Sequence, residues 1–163
     1  LSQVSSYYLG FSLLKENKKD AAKLAFSSAA RSGSNTIPAI TEDGLYQYAK
    51  VSFATESYDD ALKALQKLVK DYPNATYKEE IQTMIGEVYL FTRNYPEAIK
   101  YFGGIAKNTP RAKLSYQTVL YYYGLELFEK KKLKNAAFYF QKAIENPAKK
   151  EFTQGAHYWK GET

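Results

Sequence analysis

The sequence repeats one pattern at intervals of 37 to 39 residues, and this periodicity constrains the fold more than any other feature. A small residue, glycine or alanine, marks each unit. Twelve residues after each of the first four markers comes an alanine, and four residues later comes phenylalanine or leucine. The markers are Gly10, Ala49, Gly86, Gly124 and Gly161, followed by Ala22, Ala61, Ala98 and Ala136 and then by Phe26, Leu65, Phe102 and Phe140. The chain is therefore predicted to be an array of similar structural units.

Each unit has the pattern of two antiparallel helices joined by a short polar turn. Apolar residues recur three and four positions apart on both sides of that turn, as the buried face of a helix requires. Ser57 and Asn94 stand just before second helices and predict side-chain N-caps. The small marker is expected to face the alanine of its second helix, while Phe102 and Phe140 are expected to fill the space between successive pairs.

This order of residues resembles the tetratricopeptide repeat, and the third unit carries the fullest match. That unit begins with the run from Ile85 to Tyr89, which contains the small residue Gly86. The family's later tyrosine, alanine, phenylalanine and proline are matched in order by Tyr95, Ala98, Phe102 and Pro110. The resemblance implies an all-α fold, a right-handed α-solenoid of antiparallel helix pairs. We expect one domain over residues 1–163. Its repeats are predicted at about 3–38, 42–75, 77–112 and 115–150, with a partial fifth at 153–163.

The family's function, carried over by resemblance, is to hold a partner polypeptide in a concave groove lined by the first helix of each pair. The places that the family uses for this purpose are counted from the small marker residue. They are occupied here by Tyr7, Phe11, Lys15, Tyr46, Lys50, Phe53, Thr83, Glu87, Tyr121, Leu125 and Tyr158. Tyrosine rings suit a peptide or partner helix because they offer a large, rigid contact area. The alternative is that these rings pack against adjacent helices of the chain itself.

The composition excludes most kinds of enzyme active site. The chain has no cysteine and a single histidine, His157, so thiol catalysis, disulfides and zinc sites rich in these residues are ruled out within it. No motif predicts a catalytic residue, a metal ligand or a cofactor site. The sequence therefore predicts a protein that is not an enzyme and needs no cofactor.

The net charge of +6 leaves a second possibility open. The excess lies in the second half of the chain, which suits a regulatory or recruiting module of a larger enzyme or nucleic-acid-handling protein. Only three of the 23 basic residues are arginines, and this scarcity argues against nucleic acid as the partner. A protein partner is therefore preferred.

The chain also resembles a narrower group, the tetratricopeptide proteins of bacterial envelopes that serve secretion, motility or outer-membrane assembly. The resemblance lies in its lysine-rich, arginine-poor and tyrosine-rich composition and in the run from Tyr158 to Glu162. It favours a periplasmic or outer-membrane-associated location over a cytoplasmic one. No apolar run is long enough to predict a transmembrane segment. The incomplete fifth unit leads us to expect that the chain is part of a longer repeat protein.

Overall fold

The structure is a computed structural model that describes residues 2–31, 36–105 and 108–163. Every regular element in these residues is an α-helix, which confirms the predicted all-α class. In chain order they are α1 (Gln3–Lys15), α2 (Lys19–Ala29), α3 (Pro38–Ala54), α4 (Tyr58–Asp71), α5 (Lys78–Phe91), α6 (Tyr95–Gly104), α7 (Pro110–Glu129), α8 (Leu133–Glu145) and α9 (Lys150–Gly161). None of these described helices is both long and apolar enough to cross a lipid bilayer.

The chain forms two compact units, residues 1–85 and 86–163, and α5 contributes to both. In the first unit α1 packs on α2 and α3 on α4, while α2 also packs on α3. In the second unit α7 packs on α6, α8 and α9. Helices of a pair are joined by only three residues, so they run antiparallel, as the sequence predicts. The division into repeats stays a prediction, and residues 32–35 of the first predicted repeat lie outside the described residues.

The turns within the helix pairs share a backbone device that the sequence analysis did not find. The residue seven positions after each small marker has a φ of 57° or 58°, in the left-handed region. These residues are Asn17, Glu56, Arg93 and Lys131. The next amide donates to a carbonyl five residues back at 2.8 Å in all four turns, which is the hydrogen bond of a Schellman motif. Ser57 and Asn94 do occupy N-cap positions, but their side chains make no capping hydrogen bond, so that prediction is wrong.

The glycine markers let the two helices of a pair approach closely, although the contact differs from the expected one. A Cβ atom built on Gly10 or Gly124 would lie 2.6 or 2.7 Å from the ring of Phe26 or Phe140. Phe102 covers Gly86 in the same way, and all three rings are fully buried. The phenylalanine therefore packs against the glycine of its own helix pair. Phe102 also contacts Tyr116 on α7, with ring centroids 6.0 Å apart, so the expected packing between successive pairs is present there as well. Where alanine replaces glycine, at Ala49, the residue sixteen positions later is the smaller Leu65.

A glutamine on the first turn of α1 ties the first helix pair to the next helix. Gln3 Nε2 donates to the carbonyl of Ala29 at 3.0 Å and to Thr41 Oγ1 at 2.8 Å. The amide of Ile37 donates to Gln3 Oε1 at 2.7 Å. One side chain thus joins the end of α2 and the start of α3, and so positions α1 beside α3.

The same device recurs in the second unit around Gln117, which is completely buried. Gln117 Nε2 donates to the carbonyl of Ala143 at 3.2 Å and to Thr153 Oγ1 at 2.8 Å. Its Oε1 accepts from the amides of Ala148 and Lys149 at 3.0 and 2.7 Å. Gln3 and Gln117 both stand seven residues before their marker glycines, so the register of these first helices is fixed in the same way.

Candidate partner-binding faces

In the first unit the predicted contact residues lie on α1 and α3, which pack side by side, except for Thr83 on α5. Phe11 is half-buried and contacts the rings of Tyr7 and Phe26 edge-on, with ring centroids 5.0 Å apart in both pairs. The Tyr7 hydroxyl donates to the Asp43 carboxylate on α3. Burial raises the pKa of Tyr7 above its ordinary value, and the hydrogen bond to Asp43 raises it further.

Tyr46 is the most buried of the predicted tyrosines, with only 2% of its surface exposed. Its ring stacks on Tyr77 at a centroid separation of 4.2 Å and an interplanar angle of 7°. Burial raises the pKa of Tyr46 above its ordinary value, and the nearby Glu80 carboxylate raises it further. Lys50 lies above the same ring, 5.1 Å from its centroid, and its Nζ is 3.6 Å from Glu80.

The remaining predicted residues of the first unit differ in their accessibility. Lys15 and Lys50 are exposed, and Phe53 is half-buried against Tyr58 at a centroid distance of 5.8 Å. Thr83 is 2% exposed, and its hydroxyl donates to the carbonyl of Glu79 at 2.8 Å. Thr83 and Tyr46 therefore have almost no free surface, whereas the other predicted residues of this unit have some.

Glu87, in the second unit, belongs to a hydrogen-bond network at the start of α7. Its side chain is 8% exposed and accepts from Arg111 Nε at 2.9 Å and from Arg111 Nη2 at 2.5 Å. Ser115 Oγ donates to the same carboxylate at 2.8 Å. The carboxylate is thus held by three donors, and its role in this structure is to position α5 and α7.

Replacing Arg111 with methionine is expected to lower the free energy of unfolding by about 1 to 3 kcal/mol, because the buried carboxylate of Glu87 loses two charged donors. Unfolding in urea, followed through the fluorescence of Trp159, the only tryptophan, measures this change. Lys113→Met, an exposed position on the same helix, is the matched control and is expected to have little effect. Equal stability of the two variants would contradict the structural role given to the ion pair.

Tyr121, on α7, packs within the second unit but keeps part of its surface exposed. Its ring contacts Phe152 and Phe140, with centroid distances of 5.3 and 6.1 Å. A Cβ atom on Gly155 of α9 would lie 2.8 Å from the Tyr121 hydroxyl. Leu125, one turn further along α7, is half-buried against the core of this unit. Both residues therefore pack in the core and reach the surface.

Tyr158 is the most accessible of the predicted residues, with 61% of its surface exposed. It meets Trp159 edge-on at a centroid distance of 5.2 Å, and Trp159 in turn lies 5.2 Å from the ring of Phe128. This short aromatic cluster forms part of the surface of α9. The role of all eleven predicted residues in partner binding stays a prediction.

Sequence reasoning missed several residues that shape these faces. Asp43 and Tyr77 are direct neighbours of predicted tyrosines, and Gln3 and Gln117 fix the positions of the first helices. The two glutamines could have been found in the sequence, because each stands seven residues before a marker glycine. Within the described residues, no group of three or more histidine, aspartate or glutamate side chains is placed to hold a metal ion.

Comparison with known families and structures agrees with this architecture. Two family models, both described as "Tetratricopeptide repeat", match residues 43–75 and 83–151. Comparison with curated protein sequences gives no match to this chain.

Two solved structures illustrate the similarity of fold. MamA from Desulfovibrio magneticus RS-1, from its residue 41 to the end, has a TM-score of 0.66 and 16% sequence identity. That alignment covers 98% of this chain and 84% of the other. A tetratricopeptide repeat protein from Parabacteroides merdae ATCC 43184 has a TM-score of 0.62 and 17% identity, with 98% of this chain and 59% of the other covered. At such identities the likeness concerns the fold alone.

Proposed function

Because this chain belongs to the tetratricopeptide repeat family, we propose that it is a non-enzymatic scaffold that holds a partner polypeptide against its first helices. The observation that carries this proposal is that each unit, taken by itself, has partly exposed aromatic or aliphatic side chains at the family's contact places. In the first unit these are Phe11 and Phe53, and in the second they are Tyr121, Leu125 and Tyr158. Such side chains bury large apolar area against a bound peptide.

The polar residues at the contact places fit the same role where they are accessible. Lys15 and Lys50 are exposed on α1 and α3, and in this role they orient a peptide through its carboxylates and carbonyls. Lys50 also lies 3.6 Å from Glu80. Tyr46, Thr83 and Glu87 are buried instead. Tyr46 stacks on Tyr77, Thr83 donates to the carbonyl of Glu79 on its own helix, and Glu87 accepts from Ser115 on α7. The proposed contact surface therefore consists of the accessible members of the predicted set.

Tyr158→Ala is expected to weaken binding of a partner peptide at least about tenfold, because exposed tyrosines at the centre of a contact are frequent binding hot spots. The peptide is selected from a displayed random library against the whole chain, and its affinity is measured by fluorescence anisotropy. Phe138→Ala is the matched control, since Phe138 is a 54% exposed aromatic residue of the same unit but lies on a second helix. Equal losses from both variants, or a loss only from Phe138→Ala, would contradict the proposal.

The alternative partner is nucleic acid bound by the basic second half. The salt dependence of binding distinguishes such a complex from a complex with a peptide. The exposed residues Lys131, Lys132 and Lys134 around the α7–α8 turn are among the cations available for it. A complex dominated by phosphate contacts weakens by about 10³- to 10⁵-fold between about 50 and 200 mM salt. A peptide held by aromatic contacts is expected to change far less over the same range.

We also propose that the scaffold works in a bacterial envelope system, in the periplasm or at the outer membrane. The lysine-rich, arginine-poor and tyrosine-rich composition supports this location. Fractionation of cells that produce the protein, followed by detection with a specific antibody, tests it. Recovery in the cytoplasmic fraction alone would contradict it.

A further inference from the structure

The positive charge of the chain is concentrated in its second unit. Residues 1–85 hold ten basic and ten acidic side chains, whereas residues 86–163 hold thirteen basic and seven acidic ones. The net charge of +6 therefore comes entirely from the second unit. Because a concentration of one sign of charge attracts a partner of the opposite sign, this unit favours a negatively charged partner.

The lysines best placed for such a partner lie at the turn between α7 and α8 and on α8 itself. Residues 130–142 include five lysines and no acidic residue. Lys130 and Lys142 each form a salt bridge with a glutamate. The other three, Lys131, Lys132 and Lys134, are exposed, and their side chains form no ion pair or hydrogen bond with any described residue. Their ammonium groups are therefore accessible to a ligand.

Exposed apolar side chains accompany these lysines. Phe138 is 54% exposed, and Leu133, the first residue of α8, is 37% exposed. Phe138 follows Lys134 by four residues, so the two side chains lie on the same face of the helix. Lys142, four residues further on, places its Nζ 5.7 Å from the centre of the Phe138 ring. The other face of α8 is buried in the core of the unit, so this outer face offers basic and apolar groups together.

This combination of side chains suits an anionic lipid bilayer better than nucleic acid. Lysines attract anionic head groups, and an exposed aromatic ring beside them enters the boundary between the head groups and the acyl chains. A lysine side chain fits the same boundary, because its apolar stem lies in it while the ammonium stays among the head groups. Nucleic acid is recognised preferentially through arginine, and residues 112–163 contain none.

We propose that the α7–α8 turn and the outer face of α8 bind the surface of a bilayer that contains anionic phospholipids. We call this surface the basic face, and it consists of Lys131, Lys132, Leu133, Lys134 and Phe138. Its lysines contact the head groups, and its two apolar side chains enter the boundary below them. The contact is peripheral and uses a second helix, so the proposal goes beyond the peptide held by the first helices.

The test measures sedimentation of the whole chain with lipid vesicles at low salt. One set of vesicles contains equal amounts of phosphatidylcholine and phosphatidylglycerol, and the other contains phosphatidylcholine alone. Each lysine near an anionic surface strengthens binding about fivefold, so the mixed vesicles are expected to bind the chain at least about thirtyfold more tightly. Equal binding to the two sets of vesicles would overturn the proposal.

The triple variant Lys131→Gln/Lys132→Gln/Lys134→Gln locates the site. It removes three positive charges from exposed side chains that form no bond with the described chain, so the fold is expected to persist. Its affinity for the mixed vesicles is expected to fall at least about thirtyfold.

The matched control removes the same charge from three exposed lysines of the first unit, in the variant Lys19→Gln/Lys63→Gln/Lys70→Gln. Its affinity for the mixed vesicles is expected to change less than about threefold, since its lysines lie outside the basic face. Equal losses in the two triple variants would mean that binding follows the total charge of the chain, and the assignment to the basic face would be wrong.

Phe138→Ala distinguishes a bilayer from nucleic acid and from the peptide of the proposed function. It is expected to weaken binding to the mixed vesicles at least about fivefold, because the ring no longer enters the bilayer boundary. Tyr158→Ala, which is expected to weaken the peptide, is expected to leave vesicle binding unchanged. Vesicle binding that is insensitive to Phe138→Ala, or tighter binding of the chain to a random-sequence DNA duplex than to the mixed vesicles, would overturn the assignment to lipid.

Discussion

Replacing Gly124 with alanine is expected to lower the free energy of unfolding by about 1 to 3 kcal/mol, because the new methyl group overpacks a filled core. The missing Cβ would lie 2.7 Å from the ring of Phe140, which is completely buried and so must shift within a packed core. Phe140→Leu alone is expected to cost about 1 to 3 kcal/mol through the cavity that it leaves.

The double variant Gly124→Ala/Phe140→Leu is expected to be more stable than the sum of the two single changes predicts, by about 1 kcal/mol or more. The combination reproduces the pair Ala49 and Leu65 that the second repeat uses at the same places. Urea unfolding followed by Trp159 fluorescence reports on the second unit, where both residues lie. Strict additivity of the two costs would contradict the assigned contact.

Gln117→Leu is expected to lower the free energy of unfolding by about 3 kcal/mol or more, because four hydrogen bonds, one of them buried and three partly buried, are lost at once. The side chain makes four hydrogen bonds and is completely buried. Two of the donors that it satisfies are the amides of Ala148 and Lys149, at the connection to α9. Leucine fills a similar volume, so the loss of unfolding free energy comes mainly from the missing hydrogen bonds and less from changed packing.

The matched control is Gln154→Leu, the same exchange at an exposed position of α9. It is expected to change stability by no more than about 0.5 kcal/mol. Thermal unfolding of both variants by circular dichroism, with Trp159 fluorescence as a second probe, provides the comparison. A Gln117→Leu chain as stable as the control would mean that the glutamine does not hold α9 in place.

The helix pairs were predictable because glycine, alanine and phenylalanine recur at constant spacings. The spacing shows that Phe102 and Phe140 are buried, but it does not show what they face. Helical periodicity identifies the apolar side of each helix, whereas the neighbour on that side depends on the distance between helix axes. The absence of a Cβ at Gly86 and Gly124 lets those axes approach, so that Phe102 and Phe140 each cover the glycine of their own pair.

The turns were harder to predict because their common feature is a backbone angle. Asn17, Glu56, Arg93 and Lys131 all adopt the left-handed region, yet only asparagine has a known preference for it. The sequence instead offered Ser57 and Asn94 as capping residues, but their side chains make no capping hydrogen bond. The backbone amides of these two residues close the Schellman motif that ends the preceding helix. Tertiary packing of the two helices outweighs the local preference of the side chains.

The candidate faces were predicted in position but not in accessibility. The spacing from each marker residue locates Tyr46 and Thr83 on a first helix. It does not show that Tyr46 is buried, because Tyr77, just before α5, stacks on its ring. Gln3 and Gln117 escaped notice because the second and third repeats have glutamates, Glu42 and Glu79, at the same place. The repeat pattern was defined by residues that all four repeats share, so a glutamine found in only two of them was not noticed.

The central claim is that a partner polypeptide lies on the first helices, and mapping the bound peptide by NMR tests it most directly. Cross-saturation from an unlabelled selected peptide to the deuterated chain is predicted to reach Phe11 and Phe53 in the first unit and Leu125 and Tyr158 in the second. The exposed apolar residues of the second helices, Leu24, Val69 and Phe138, are predicted to stay unaffected. Saturation of those three residues, with none on the first helices, would contradict the account.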